Sequence, residues 1–235
     1  MHTVKADISE IFSSIQGEGI FLGAKQVFVR FEDCNLDCLF CDEKALVKTK
    51  EYSPIELMKE VRSLEEAGGP HHSVSLTGGE PLLYWDFLRA FLKILRRGRI
   101  LRSYLETNGT LPHELSKVIE LVDIIAMDFK LPSSTAARPF WDEHAEFLKI
   151  ASKKRVFVKA VITADTIKED VEKAIDIVKK LDRNIPFIIQ PASVVNKDDK
   201  PVASSRLLSF MEMGLEKDLG NVRIIPQVHK LLKVK

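Results

Sequence analysis

At 235 residues, with 45% hydrophobic and 29% charged residues, the chain has the composition of an ordinary globular protein and not of a disordered one. Its 35 Lys+Arg against 34 Asp+Glu leave a net charge of +1, without the basic excess of a broad nucleic-acid footprint. The three cysteines, Cys34, Cys38 and Cys41, are odd in number and too sparse for a disulfide framework.

A chain of this length buries about 70–75% of its unfolded surface, enough for one core, and a single domain over residues 1–235 is expected. No apolar run approaches the roughly 18 residues that span a bilayer. The stretch Met1–Asp7 lacks the apolar segment of a signal peptide. The expectation is a cytoplasmic protein with no membrane or nucleic-acid partner, in a compartment where thiols stay reduced. Arg96, Arg97, Arg99 and Arg102 fall near a helix end, where cations are favoured, and read as a solvated face.

In chain order, Val27–Phe31 is β-rich and ends just before the cysteines. Pro54–Ala67 reads as a helix capped by Ser53, with Ile55, Leu57, Met58, Val61 and Leu64 as its apolar stripe. A strand is expected at His72–Leu76, a helix at Tyr84–Arg97, a strand at Ile100–Leu105 and a short helix at His113–Glu120. Then come a strand at Asp123–Met127, a helix at Arg138–Ala151, a strand at Val156–Ile162, a helix at Ile167–Leu181 and a strand at Pro186–Ile189. A helix at Ser204–Met213 and a run at Val222–Ile225 close the chain, after a loop from Ala192 to Ala203. The alternation implies right-handed βαβ crossovers in a parallel sheet of about six units, as an open doubly wound sheet or an incomplete barrel.

In either architecture ligands bind at the carboxyl ends of the strands. The unusual residues fall there: the cysteine loop, then Thr77-Gly78-Gly79-Glu80-Pro81, Glu106-Thr107-Asn108-Gly109, Asp128-Phe129-Lys130 and Gln190-Pro191. The cysteines are spaced Cys-x3-Cys-x2-Cys. Structural zinc wants a fourth ligand, for which His71 or His72 is the candidate. A 4Fe–4S cluster takes four thiolates, so with three in the chain one iron lacks a cysteine and is open to a small-molecule ligand.

With these motifs the chain resembles the radical S-adenosylmethionine superfamily, whose core is an incomplete, TIM-like α/β barrel of about six parallel strands. The resemblance implies that Cys34, Cys38 and Cys41 hold a 4Fe–4S cluster whose remaining iron chelates S-adenosylmethionine, the source of a 5′-deoxyadenosyl radical. It implies that Gly78 and Gly79 hold the cofactor's amino group, their bare backbone approaching it closely. Phe40 would pack near the adenine, with Asp42 in the same segment. Asp128, Lys130 and Gln190 are further cofactor candidates, and Glu106 would bond the ribose or serve as a capping carboxylate.

Glu10-Ile11-Phe12, Ser14-Ile15-Gln16-Gly17-Glu18-Gly19, Phe28-Val29-Arg30-Phe31, Lys130-Leu131-Pro132-Ser133-Ser134 and Arg223-Ile224-Ile225-Pro226-Gln227-Val228-His229-Lys230 narrow the resemblance. They are similar to one branch, the 7-carboxy-7-deazaguanine synthases, over nearly the whole chain. The implied substrate is 6-carboxy-5,6,7,8-tetrahydropterin, bound by an N-terminal extension carrying Ile15, Gln16, Gly17 and Glu18, by Arg30 and Thr77, and by His229 in a closing segment. For Arg30 the alternative is a rim salt bridge to Glu32 or Asp33. The branch also implies a magnesium ion, an electron donor such as a flavodoxin or ferredoxin, and a homodimer.

Four positions depart from the branch. Glu43 stands where Thr or Ser helps hold magnesium, and it is itself a hard oxygen donor. Asp128-Phe129-Lys130 replaces Ser-Pro-Lys, and Asp33 replaces the glycine before the first cysteine. Lys159 belongs to the interior only if the register of its strand places it there. An activase acting on a protein partner, and a non-catalytic metal- or cluster-binding protein, are the competing readings.

Overall fold

The apolar runs become strands of one mixed sheet in the computed structural model, which describes residues 4–41, 49–194 and 200–234. Its strands are β1 (Ala6–Ile15), β2 (Lys25–Phe31), β3 (Lys50–Tyr52), β4 (Ser73–Gly78), β5 (Arg102–Thr107), β6 (Ile124–Phe129), β7 (Arg155–Ile162), β8 (Phe187–Pro191) and β9 (Val222–Ile224). They are ordered β3-β1-β2-β4-β5-β6-β7-β8-β9, and each neighbouring pair from β2 to β9 is parallel. The expected strands are all present, each close to its expected bounds. Among the described residues the outermost strands, β3 and β9, do not pair with each other, so the barrel is incomplete.

Two strands, β1 and β3, go beyond the expectation, and both run antiparallel. The β1 pattern is hard to read because its register against β2 shifts between Ile8 and Glu10. An irregularity of that kind breaks the period of two on which strand recognition depends.

The helices are α1 (Pro54–Gly68), α2 (Trp85–Gly98), α3 (Pro112–Val118), α4 (Pro132–Thr135), α5 (Trp141–Ala151), α6 (Lys168–Leu181), α7 (Ser204–Glu216) and α8 (Val228–Leu232). At the start of α1, Ser53 and Glu56 form a reciprocal capping box, worth about 1 kcal/mol. Leu57, Met58 and Val61 are buried as expected, whereas Ile55 is 62% exposed. It lies two positions from Leu57, roughly 200° around the helix, and faces away. On α2 the buried stripe is Phe87, Leu88, Phe91, Leu92 and Leu95, each contributing about 1.5–3 kcal/mol. The helix expected from Arg138 starts only at Trp141, because Pro139 disfavours helical geometry at the residue before it.

Strand residues alternate between two cores. Val27, Val29, Val74, Leu76, Leu105, Ile125, Met127, Val158, Phe187 and Ile189 face outward into the main core beneath the helices. Tyr104, Ile124, Ala126, Phe157 and Ile188 face inward and form a second, smaller cluster. A short 3₁₀ turn after β1, Gly19–Phe21, inserts Ile20 and Phe21 into that inner cluster, and Phe21 meets the Tyr104 ring edge-on at 5.7 Å. The barrel interior is therefore plugged with aromatic side chains at one end.

Candidate active site

Above that apolar floor the inward positions turn polar. Phe28 is followed two residues on by Arg30, Tyr104 by Glu106, Ala126 by Asp128, Phe157 by Lys159 and Ile188 by Gln190. Parallel register sets these side chains next to one another: Arg30 opposite Thr77, Glu106 opposite Ala126, Asp128 opposite Lys159 and Val161 opposite Gln190. They line a cavity of about 350 Å³ at the carboxyl ends of the strands.

The same cavity receives Cys34, Cys38, Phe40 and Cys41 from the loop after β2, and Thr77, Gly78 and Gly79 from the end of β4. Ile15, Gln16, Gly17 and Glu18 reach it from the end of β1 and the turn after it, Lys130 from the end of β6 and His229 from α8. Asp42 and Glu43 lie outside the described residues. Lys159, whose register the sequence left open, and Gln227, which was not singled out as a site residue, also line it. For Lys159 the available signal was the apolar-x-polar alternation that it shares with Glu106 and Asp128.

The cysteine loop is fastened on several sides. Asn35 accepts from Asn108 Nδ2 at 2.8 Å and donates to Thr110 Oγ1 at 2.9 Å, while the Leu39 N–H donates to the Thr135 carbonyl. Cys38 is buried; Cys34 and Cys41 are exposed. Burial pushes the Cys34 and Cys38 thiols up, against the opposing pull of Lys130. Among the described residues no three His, Cys, Asp or Glu side chains are gathered at metal-ligand spacing. The thiols thus share one cavity without being drawn together.

The glycine turn, which lines the cavity, also packs against the backbone that leads into the cysteine loop. Gly78 has φ +106°, and a Cβ on it would stand 2.4 Å from the Phe31 carbonyl oxygen. A Cβ on Gly79 would stand 2.1 Å from the Asp33 carbonyl oxygen. The space that a side chain would need is filled by the backbone leading into the cysteine loop. Gly79 N–H donates to Phe31 O at 2.8 Å and Glu80 N–H to Asp33 O at 2.7 Å, so these N–H groups stitch turn to loop. Asp33 adds a second tie by accepting from the Tyr84 hydroxyl.

Glu80 completes the seam from inside. It is fully buried and accepts from Leu82 N, Thr107 Oγ1 and Asn108 N at 2.8–3.0 Å. Burial pushes its pKa up to about 7 despite those three donors.

Across the cavity, Lys159 is bonded to Glu18 and lies 3.9 Å from Asp128. Lys130 pairs with Asp128 at 2.8 Å and stands over the Phe40 ring at 5.3 Å. Glu106 accepts from Gln16 at 2.8 Å, Ser75 at 3.1 Å and Thr77 at 3.3 Å, which makes it a cross-strand acceptor and not a cap. Arg30 pairs at 3.3 Å with Glu10, its register partner on β1. Among the described residues, two buried acceptors on the wall, Asp128 Oδ1 and Gln190 Oε1, have no hydrogen-bond partner. Each costs about 1–3 kcal/mol in that state, which suits the wall to a ligand that carries donors.

The chain matches the family model described as Radical SAM superfamily over residues 28–189. It is 37% identical to a 7-carboxy-7-deazaguanine synthase of Geobacter sulfurreducens, covering 97% of each chain. It is 34% identical to a second such protein, from Methanopyrus kandleri, covering 96% of this chain and 93% of that one. The crystal structure of QueE from Escherichia coli shares the fold, with a TM-score of 0.63 at 18% identity over 95% of this chain and 94% of that one. By sequence along its whole length and by the architecture that carries its cysteine loop, the chain belongs to the radical SAM superfamily and, within it, to the 7-carboxy-7-deazaguanine synthase family.

Proposed function

We propose that the protein is a 7-carboxy-7-deazaguanine synthase that contracts the ring of 6-carboxy-5,6,7,8-tetrahydropterin with release of ammonia. The observation that carries this reading is the convergence of both motif sets, the cysteine loop and the Gln16–Glu18/His229 group, on one cavity. The donor set fits the implied cofactors. Three soft thiol donors share the cavity with a lysine, and two orphaned acceptors face it. Cys34, Cys38 and Cys41 would hold the 4Fe–4S cluster, with Phe40, Asp128, Lys130 and Gln190 around S-adenosylmethionine. When bound, these groups supply the one-electron chemistry that removes a hydrogen atom from the carbon carrying the carboxylate.

The remaining residues bind and orient. Arg30, steadied by Glu10, offers a guanidinium to the pterin carboxylate. Glu18 and the Gln16–Glu106 pair offer acceptors to the ring edge. The aromatic floor of Phe21, Tyr104 and Phe157 excludes water from below. The proposal extends to a magnesium ion with Glu43 as an oxygen donor, to a flavodoxin- or ferredoxin-type reductant and to a homodimer.

Anaerobic turnover with the carboxytetrahydropterin, S-adenosylmethionine and a reductant should yield the deazaguanine product. Deoxyadenosine without that product would reject the substrate assignment. Arg30→Ala should raise KM for the pterin about 10–100-fold, the worth of one charge-assisted pair. Cofactor cleavage without substrate should stay within a few-fold of wild type, and the reverse pattern would remove Arg30 from the substrate site.

A further inference from the structure

We infer that Lys159 is a positioning residue. It holds Glu18 as an acceptor-only carboxylate in the barrel interior, and through that pair the cavity prefers heterocycles that present adjacent N–H donors. The inference rests on the pterin reading above and assigns to a residue on β7 the selection of the ring edge.

The geometry is a clamp closed from three remote parts of the chain. Glu18 comes from the turn after β1, Lys159 from β7 and Gln227 from the segment before α8. Lys159 bonds one carboxylate oxygen of Glu18, while Gln227 donates to the other at 2.7 Å. The two charged side chains are only 12% and 14% exposed. A lysine is costly to bury unless it is paired, and two further carboxylates, Asp128 and Glu106, act on its charge from β6 and β5.

Burial works against the Glu18 charge, but Lys159, with Gln227 and His229, holds its pKa down at about 2. Tyr104 faces it from β5 with a hydroxyl held protonated by burial. A carboxylate that stays ionised accepts and never donates. It fits two parallel N–H groups, as on the 2-amino, N3–H edge of a pterin. It penalises an oxygen placed where the amino group belongs, because two acceptors then face each other unpaired.

The test is equilibrium titration of the anaerobically reconstituted protein with 6-carboxypterin and with its 2-oxo counterpart, 6-carboxylumazine, read by ligand fluorescence between pH 5.5 and 7.5. Wild type should bind the pterin with little pH dependence and prefer it by at least about 10-fold. In Lys159→Met, Glu18 keeps its burial and loses its cation, so its pKa rises and it takes up a proton as the pH falls. Pterin affinity should then drop about 10-fold or more from pH 7.5 to 5.5, and the preference over the lumazine should shrink. Lys159→Arg should restore both.

A folded Lys159→Met variant, judged by circular dichroism, with a flat profile and unchanged preference would overturn the inference. If that variant does not fold, Lys159→Gln carries the same test. Failure of wild type to bind either ligand would instead reject the pterin reading itself.

Discussion

Cys34→Ala, Cys38→Ala and Cys41→Ala are each expected to abolish deoxyadenosine formation, by at least about three orders of magnitude, and to lower the iron content of the anaerobically reconstituted protein from about four per chain. The expectation follows from a donor set without a spare. The chain contains three cysteines, all on the one loop that enters the cavity. On the proposed assignment, loss of any one would leave a second iron without a thiolate. Burial pushes the Cys34 and Cys38 thiols up, so cluster assembly would also release their protons. Assembly should therefore be faster at higher pH. A variant that still cleaves S-adenosylmethionine would reject the cluster assignment.

Gly79→Ala should destabilise the protein by about 2–4 kcal/mol, a fall in Tm of roughly 5–15 °C for a chain of this size. The added Cβ would lie 2.1 Å from the Asp33 carbonyl oxygen and 2.7 Å from that of Glu32. Those neighbours are backbone and cannot rotate aside. The turn must move away from the loop, breaking the bonds from Gly79 N to Phe31 O and from Glu80 N to Asp33 O. Each orphaned donor costs about 1–3 kcal/mol. Because the seam positions the cysteine loop, iron uptake should fall in the same variant. Urea unfolding of the metal-free protein is the discriminating measurement. If Gly79 served only to let a ligand approach, metal-free stability would match wild type and only cofactor affinity would suffer.

The two glycines show how a motif can be read correctly as a place and incompletely as a cause. Gly-Gly at a strand end signals a close approach, but what approaches is a matter of three-dimensional neighbours. Here backbone from Phe31 to Asp33, more than 40 residues earlier in the chain, is one such neighbour. Glu106 is similar. Its position at the end of β5 left ribose contact or capping open, and its partners Gln16, Ser75 and Thr77 come from three other segments.

By itself the sequence determined the periodicities and the chemistry. Alternating apolar runs and amphipathic stretches specify parallel βαβ units, since burial on both faces of each strand demands helices outside. Three thiols at that spacing point to a metal site one thiolate short, and the Gln-Gly-Glu-Gly and Pro-Gln-x-His-Lys motifs carry the resemblance to the family. The tertiary structure alone decided which remote residues meet. The register of β6 against β7 sets Lys159 beside Asp128, and incomplete closure lets the N-terminal turn and the C-terminal tail enter the interior. The pairings of Glu18 with Lys159 and of Arg30 with Glu10 depend on strand order and on the register shift in β1, which no local pattern encodes. Side-chain alternation along a strand is a local property, whereas the partner that balances a buried charge is set by packing across the barrel.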